Sequence, residues 1–340
     1  EFKSAIWMHR ANHGQWNTVW NDRDNGDYSV RALQLKALID GEEQRRFGRV
    51  VIGGFLEATL NGRDEYRIMF RDHRSAGDWL PPTMYLTRYA DARSQMLATF
   101  EEDVDVSTGS LPGVRLQGDS LSTWRESDMP SRSRAATFRS NAVTVGWNNT
   151  PAGRDTTTPR WPARFTVTLS DSLSRALSLT SQHALLLTVG TTDQKPGPRR
   201  VPRDTSKSDS TKRDTTKQAS TAKAPAKRPA AGKPAKDTVP PDFTLELEDA
   251  DGRVARLPLS TFGAVRLPIE SYIYRRRGRD KSQFPTLAEP IMQTYVAPLS
   301  AFRDANASLD VARLRALRLV FDRKPVGSIQ LDDIGVSRPE

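Results

Sequence analysis

The chain contains no cysteine in its 340 residues. That excludes disulfides, a thiol nucleophile and Cys-type zinc sites. No apolar run approaches the roughly 20 residues that a membrane-spanning helix needs. Glycine-rich phosphate loops, the His-Glu-x-x-His pattern and EF-hand spacing are all absent, which removes the commonest sequence signatures of nucleotide, zinc-protease and calcium-sensor chemistry. A Gly-x-Ser-x-Gly elbow is missing as well. Hydrophobic residues make up only 36% of the chain and the mean hydropathy is −0.61. One compact globule of this length needs more, so part of the chain is predicted to stay unfolded.

A net charge of +10 suggests a nucleic-acid partner until the charges are located. Between Lys195 and Asp237 stand 13 Lys/Arg and 4 Asp/Glu. The rest of the chain holds 38 basic and 37 acidic residues, so its folded parts are close to neutral. The basic stretch is built from Lys, Ala, Pro, Ser and Thr and cannot bury enough apolar area to offset its ordering entropy. It reads as a solvated insert over residues 192–237, or as a polybasic tether to an anionic surface. No aromatics interleave its charges, which argues against specific nucleic-acid binding.

Around this insert the pattern changes once. Ala5-Ile6-Trp7-Met8 is a short apolar strand. A weak helix is predicted over Val30 to Ile39. A stronger one begins at Asp40-Gly41-Glu42-Glu43, where Asp40 can cap and Glu43 can reach back. Phe47, Val51 and Phe55, with Val50, Leu56 and Leu60 beside them, give it an apolar stripe, and Asn61-Gly62 ends it. From about Met84 the period becomes two. Phe165/Val167/Leu169, Phe243/Leu245/Leu247, Leu317/Leu319/Phe321 and Ile329/Leu331 alternate with polar residues. Asp251-Gly252 marks a hairpin between Leu245–Leu247 and Val254–Leu259. Further strands are expected at Met84–Tyr89, Gln95–Glu101, Asn141–Trp147, Ala184–Val189 and Gln293–Leu299. About ten short strands with little helix among them indicate an antiparallel sandwich. The fold class is therefore mostly β, with a small helical segment in front and a disordered insert within. The expected boundaries are 1–78 for the helical piece, 79–191 plus 238–337 for the sandwich, and 192–237 for the insert.

Few side chains suggest chemistry. His13 follows the first strand in a Gly/Asn loop and is either a hydrolytic base or a structural loop histidine. His9, His73 and His183 have no comparable setting, and His183 opens an apolar strand. Asp103 and Asp105 share a face but nothing around them builds a cleft. Asp249-Ala250-Asp251-Gly252 is explained by the hairpin. Trp124, Trp147, Trp161, Tyr272, Tyr274 and Tyr295 are candidate sugar platforms or core residues. The run Tyr274-Arg275-Arg276-Arg277-Gly278-Arg279-Asp280-Lys281 is a solvated loop or an anion-binding edge, because Arg forks match carboxylate and phosphate.

Two resemblances add to this reading. Residues Ile6 to Trp20, with the phrase Ala-Asn-His-Gly-Gln-Trp-Asn-Thr-Val-Trp, resemble the last strand and histidine loop of bacterial secreted, esterase-like α/β-hydrolases, and Glu42–Gly62 is similar to their closing helix. The resemblance implies that His13 is the triad base. In that fold the triad runs Ser, then Asp/Glu, then His, so the nucleophile, the acid and the oxyanion hole are expected upstream of residue 1. The chain alone would then be inactive.

The β-rich part resembles the galactose-binding-like jelly rolls used as carbohydrate-binding modules. Thr99-Phe100-Glu101-Glu102-Asp103, Val296-Ala297-Pro298-Leu299-Ser300-Ala301-Phe302, and Leu314–Phe321 followed by Gly327–Ile334 carry that likeness. It implies a carbohydrate or anionic-surface ligand and a secreted or periplasmic location. It also implies a structural calcium near Glu101, Glu102 and Asp332, unless these carboxylates are edge charges that prevent aggregation. No other cofactor is implied. Two functions follow from the sequence. In one, the chain is the C-terminal portion of a secreted ester- or lipid-directed hydrolase with an appended binding module. In the other, it is a non-catalytic binding or assembly subunit whose sandwich recognises a carbohydrate or protein partner and whose helical piece docks on a partner.

Overall fold

Alternating apolar residues fold into two antiparallel sheets that face each other. The computed structural model describes residues 1–21, 27–129, 140–150, 162–192, 194, 196, 239–284, 287–289 and 291–338. In chain order the strands are β1 (Phe2–Met8), β2 (Tyr85–Asp91), β3 (Ser94–Ala98), β4 (Val114–Asp119), β5 (Thr123–Asp128), β6 (Asn141–Asn148), β7 (Arg164–Leu169), β8 (Ala184–Thr191), β9 (Thr244–Asp249), β10 (Val254–Pro258), β11 (Ile269–Glu270), β12 (Ala288–Glu289), β13 (Gln293–Pro298), β14 (Leu314–Val320) and β15 (Val326–Ser337). The helices are α1 (Asp27–Ala32), α2 (Gly41–Leu60), α3 (Ile68–Arg71), α4 (Asp171–Leu177), α5 (Arg277–Gln283) and α6 (Leu299–Ala305).

One sheet has the order β13-β8-β15-β6-β5, with β3 paired to the far half of β15; the other has the order β10-β9-β14-β7-β4. Their inner rows form one core. Leu245, Leu247, Leu317, Leu319, Phe165 and Val167 of the second sheet meet Leu185, Leu187, Val189, Ile329, Leu331, Val143 and Val145 of the first. Trp147 is fully buried and stacks on Phe321 at 4.2 Å. Gly327 lies beneath it, where a Cβ would come within 2.4 Å of the indole. The mostly-β antiparallel sandwich read from the alternation is the fold observed.

The differences have local causes. β4 alternates only briefly, with Val114 and Leu116 buried and Arg115 and Gln117 exposed, and β5 buries none of its side chains fully, so neither gives a strong signal in sequence. Gly118, inside β4, has Leu121 and Trp124 packed where its side chain would be. The predicted helix over Val30–Ile39 stops at Ala32, and only a single turn, Leu35–Ala37, follows. Leu33 instead forms a bridge with Tyr274. Asp40 caps α2 by accepting the Glu42 N–H at 2.8 Å, whereas Glu43 pairs with Arg46 rather than reaching back. The buried stripe of α2 runs through Gln44, Phe47, Gly48, Gly54 and Ala58. Small residues win because they admit Trp16 over Gly48 and Met69 over Gly54. Phe55, Leu56 and Leu60 are exposed instead.

β1 pairs along its whole length with β2, antiparallel, from Phe2–Asp91 to Met8–Tyr85. The ladder therefore joins the piece expected to end at 78 to the first strand of the piece expected to begin at 79. Among the described residues the opposite edge of β1 pairs with no strand. β2 in turn lies against β13, where Thr294 Oγ1 accepts the Tyr89 N–H at 3.1 Å. Nearly all of the expected insert, 192–237, lies outside the described residues. Among those residues no helix is long and apolar enough to cross a membrane.

Candidate functional site: a tyrosine–arginine surface

The arginine run spans the loop after β11 and the first turn of α5. Asp280, fully buried, holds this turn by accepting the Ile273 N–H at 2.8 Å and the Tyr274 N–H at 3.3 Å. A carboxylate that satisfies backbone donors in this way fixes the loop more firmly than neutral acceptors do. The N-terminal segment docks on the same turn. Gln34 N donates to Ile273 O at 2.8 Å, Arg275 N to Ala32 O at 2.9 Å, and Arg275 Nε to Leu33 O at 3.2 Å. This pairing brings Tyr28 of α1 beside the run.

The result is a row of alternating rings and guanidiniums. Arg277 lies over Tyr272 at 4.8 Å, and Arg279 lies between Tyr274 at 4.6 Å and Tyr28 at 5.6 Å. Such stacks hold a guanidinium by the ring quadrupole while leaving its in-plane donors free for another acceptor. Tyr272 is oriented by donating its hydroxyl to Glu270 at 2.7 Å. Among the described residues, none of Arg275, Arg276, Arg277 and Arg279 makes an ion pair with a carboxylate. Tyr28 and Ile273 remain 45% and 41% exposed. The sequence had identified the run, Tyr272 and Tyr274. It gave no sign of Tyr28 or of the seating role of Asp280, because both depend on a contact between distant parts of the chain.

The other candidates are placed elsewhere. His13 is exposed at the head of a short turn, its ring 5.8 Å from that of Trp20. Its loop is anchored to α2, where buried Gln44 accepts the Asn12 N–H at 3.0 Å and donates to Asn12 O at 2.7 Å. His183 precedes β8 and accepts the Thr180 N–H on Nδ1; burial and the neighbouring Arg338 hold it below its ordinary value. His73 meets Thr87 Oγ1 at 2.9 Å and is likewise held low, by burial. Trp147 and Tyr295 are core residues and Trp124 packs against the core, so none of the three is an open platform. Trp161 lies outside the described residues. Asp249 is a turn residue: Oδ1 accepts the Asp251 and Arg253 N–H groups and Oδ2 that of Asp310.

Glu101, Glu102 and Asp332 do not form the donor set that calcium needs, which is six to eight oxygens. Glu101 accepts the Asn141 N–H at 2.6 Å. Glu102 Oε2 is shared by Thr99 Oγ1, Ser110 Oγ and the Glu101 N–H. Asp332 sits at a register shift of β15 between Leu331 and Ile334, where Arg88 of β2 donates to it at 2.5 Å and to Asp333 at 3.0 Å. Burial pushes the Asp332 carboxyl up to about 7, Asp333 and Glu101 add to the rise, and Arg88 opposes it. The cation at this place is a guanidinium. Among the described residues no group of three His, Cys, Asp or Glu side chains could hold a metal ion.

No protein-family model matches the sequence, and no curated protein matches it. Similar solved structures include the family 11 carbohydrate-binding module of a cellulosomal cellulase of Clostridium thermocellum, at 9% identity and a TM-score of 0.32, over 74% of this chain and 97% of that one. An exo-β-agarase matches at 10% identity and a TM-score of 0.35, over 72% of this chain and 25% of the other. The K1 cleaved adhesin domain of Lys-gingipain from Porphyromonas gingivalis matches at 10% and 0.30, over 73% and 98%.

Proposed function

We propose that this chain is a non-catalytic binding module that recognises carbohydrate through the tyrosine–arginine surface. The observation that carries the reading is the set of ring-stacked guanidiniums at Arg277 and Arg279, with no carboxylate partner among the described residues. Sugars present apolar C–H faces that pack on aromatic rings, and ring-edge oxygens that accept from planar donors placed beside those rings. A fixed turn bearing both groups supplies the two contacts at once. The chain's role is then to place whatever it is attached to on a glycan surface, in a secreted or periplasmic setting.

Affinity electrophoresis through gels containing soluble polysaccharides tests this. The wild-type chain is expected to be retarded by at least one of β-glucan, agarose or polygalacturonate, and the Tyr272→Ala/Tyr274→Ala variant to run unretarded with an unchanged circular dichroism spectrum. Equal retardation of the two proteins would remove these rings from the binding site.

A second reading concerns attachment, and the open outer edge of β1 favours it. Among the described residues that edge pairs with no strand, and α2 leaves Phe55, Leu56 and Leu60 exposed; both features suit the rim of a larger sheet. In this reading the parent is a serine-type α/β-hydrolase directed at esters or lipids. His13 would take the proton from its serine hydroxyl and return it to the leaving group. A His13→Ala variant of the parent should lose turnover of a short acyl ester while keeping its fold. Undiminished turnover would free His13 of that role.

A further inference from the structure

We infer that the ligand of the tyrosine–arginine surface is an acidic polysaccharide whose carboxylates are bound by Arg277 and Arg279; this rests on the carbohydrate reading above and narrows it to uronic-acid polymers. The inference starts from charge accounting. On the outer face of the five-stranded sheet, two arginines are matched by acids: Arg256 and Arg318 converge on Glu246, and Arg318 also reaches Glu248. At the turn, five cationic side chains, Arg275, Arg276, Arg277, Arg279 and Lys281, fall within seven residues. The one acid among them, Asp280, is buried against the turn's own backbone N–H groups. Among the described residues, the cationic side chains therefore face outward without an acidic partner.

The geometry selects the kind of anion. A guanidinium stacked on a ring keeps its fork edge-on, and that edge matches the two oxygens of a carboxylate. A uronic acid carries such a carboxylate on the sugar ring whose C–H face packs on tyrosine, so one residue of the polymer satisfies both contacts. Nucleic acid needs a basic stripe long enough to follow many phosphates. Apart from the insert, the chain is nearly balanced in charge, so a short patch of this kind suits a ligand with one charge per sugar.

The test is isothermal titration of the whole chain with polygalacturonate, with the same polymer fully methyl-esterified, and with a 20-base-pair DNA duplex. Polygalacturonate is expected to bind at least tenfold more tightly than the esterified polymer and than DNA. Arg277→Gln/Arg279→Gln should abolish that preference without changing the melting temperature by more than a few degrees. Arg277→Lys/Arg279→Lys, which keeps the charge but loses the fork, should recover less than half of it. Equal affinity for acidic and esterified polymer overturns the carboxylate assignment while leaving a neutral-glycan module intact. Tighter binding of DNA overturns it in favour of nucleic acid. Failure of every polysaccharide, including neutral β-glucan, overturns the carbohydrate reading itself, and with it this inference.

Discussion

Arginines in two parts of this molecule differ in what they face. On the outer side of the five-stranded sheet, Glu246 is buried between Arg256 at 2.6 Å and Arg318 at 2.8 Å. Burial alone would raise the Glu246 carboxyl, but hydrogen bonds from the two guanidiniums more than offset it and hold the group low. At the start of α5, the guanidiniums of Arg277 and Arg279 rest on tyrosine rings and meet no acid among the described residues. The first arrangement spends its charge inside the fold. The second keeps the same functional group available, held in place by a weak, non-neutralising contact. Residue type alone therefore says little about whether an arginine serves structure or recognition; its nearest neighbour decides.

This contrast can be broken experimentally. The largest effect is expected at Glu246→Gln, which leaves two guanidiniums around a neutral amide. Breaking a buried charged pair of this sort should cost about 2 kcal/mol in urea unfolding; a loss no larger than that of a surface substitution would mean that the pair is not structural. Next comes pH. Because the folded-state pKa of Asp332 is raised to about 7, from an ordinary value of about 4, the folded state holds a proton that the unfolded state has lost. Its contribution to stability is full below about pH 4 and is lost as pH rises through about 7. Asp332→Asn should flatten the stability profile across that window, and an unchanged slope would mean that Asp332 titrates normally. Glu246, held low, contributes in the opposite sense, losing stability as pH falls through the acid range. In α5, Arg279→Gln should change stability by only about 0.5 kcal/mol, while weakening the proposed acidic-glycan preference; a loss as large as that at Glu246 would make this surface structural. The smallest effect is expected at Asp251→Asn. Asp251 pairs with Arg253 and Arg313 but is half exposed, so the change should stay near about 0.3 kcal/mol in thermal unfolding.

Much of the fold was legible from alternation, because strands buried on one face and lining a common core must repeat every two residues. β9, β14, β7 and the first half of β15 all announce themselves in this way, whereas β8 is a continuous apolar run buried on both faces. Contributions made through distant backbone pairing did not. The helix expected past Ala32 is interrupted because Leu33 pairs with Tyr274, and no local pattern encodes that bridge. The same limit shaped the site. Tyr272, Tyr274 and the arginine run were visible in sequence, whereas Tyr28 reaches them only through that bridge. At Asp332 the likeness to carbohydrate-binding jelly rolls implied calcium or an edge charge. The guanidinium partner, Arg88, stands 244 residues away and is named by no motif.

On the proposed reading, the bridge between Leu33 and Tyr274 couples recognition to the docking of the N-terminal segment. A glycan that grips Tyr28 and Tyr274 together would act as a clasp between that segment and the loop before α5, favouring the joined state. By mass action its binding would raise the temperature at which the segment peels away, by an amount that grows with the logarithm of ligand concentration. By the same thermodynamic reciprocity, any partner that pulls the segment aside would loosen the grip on the polymer.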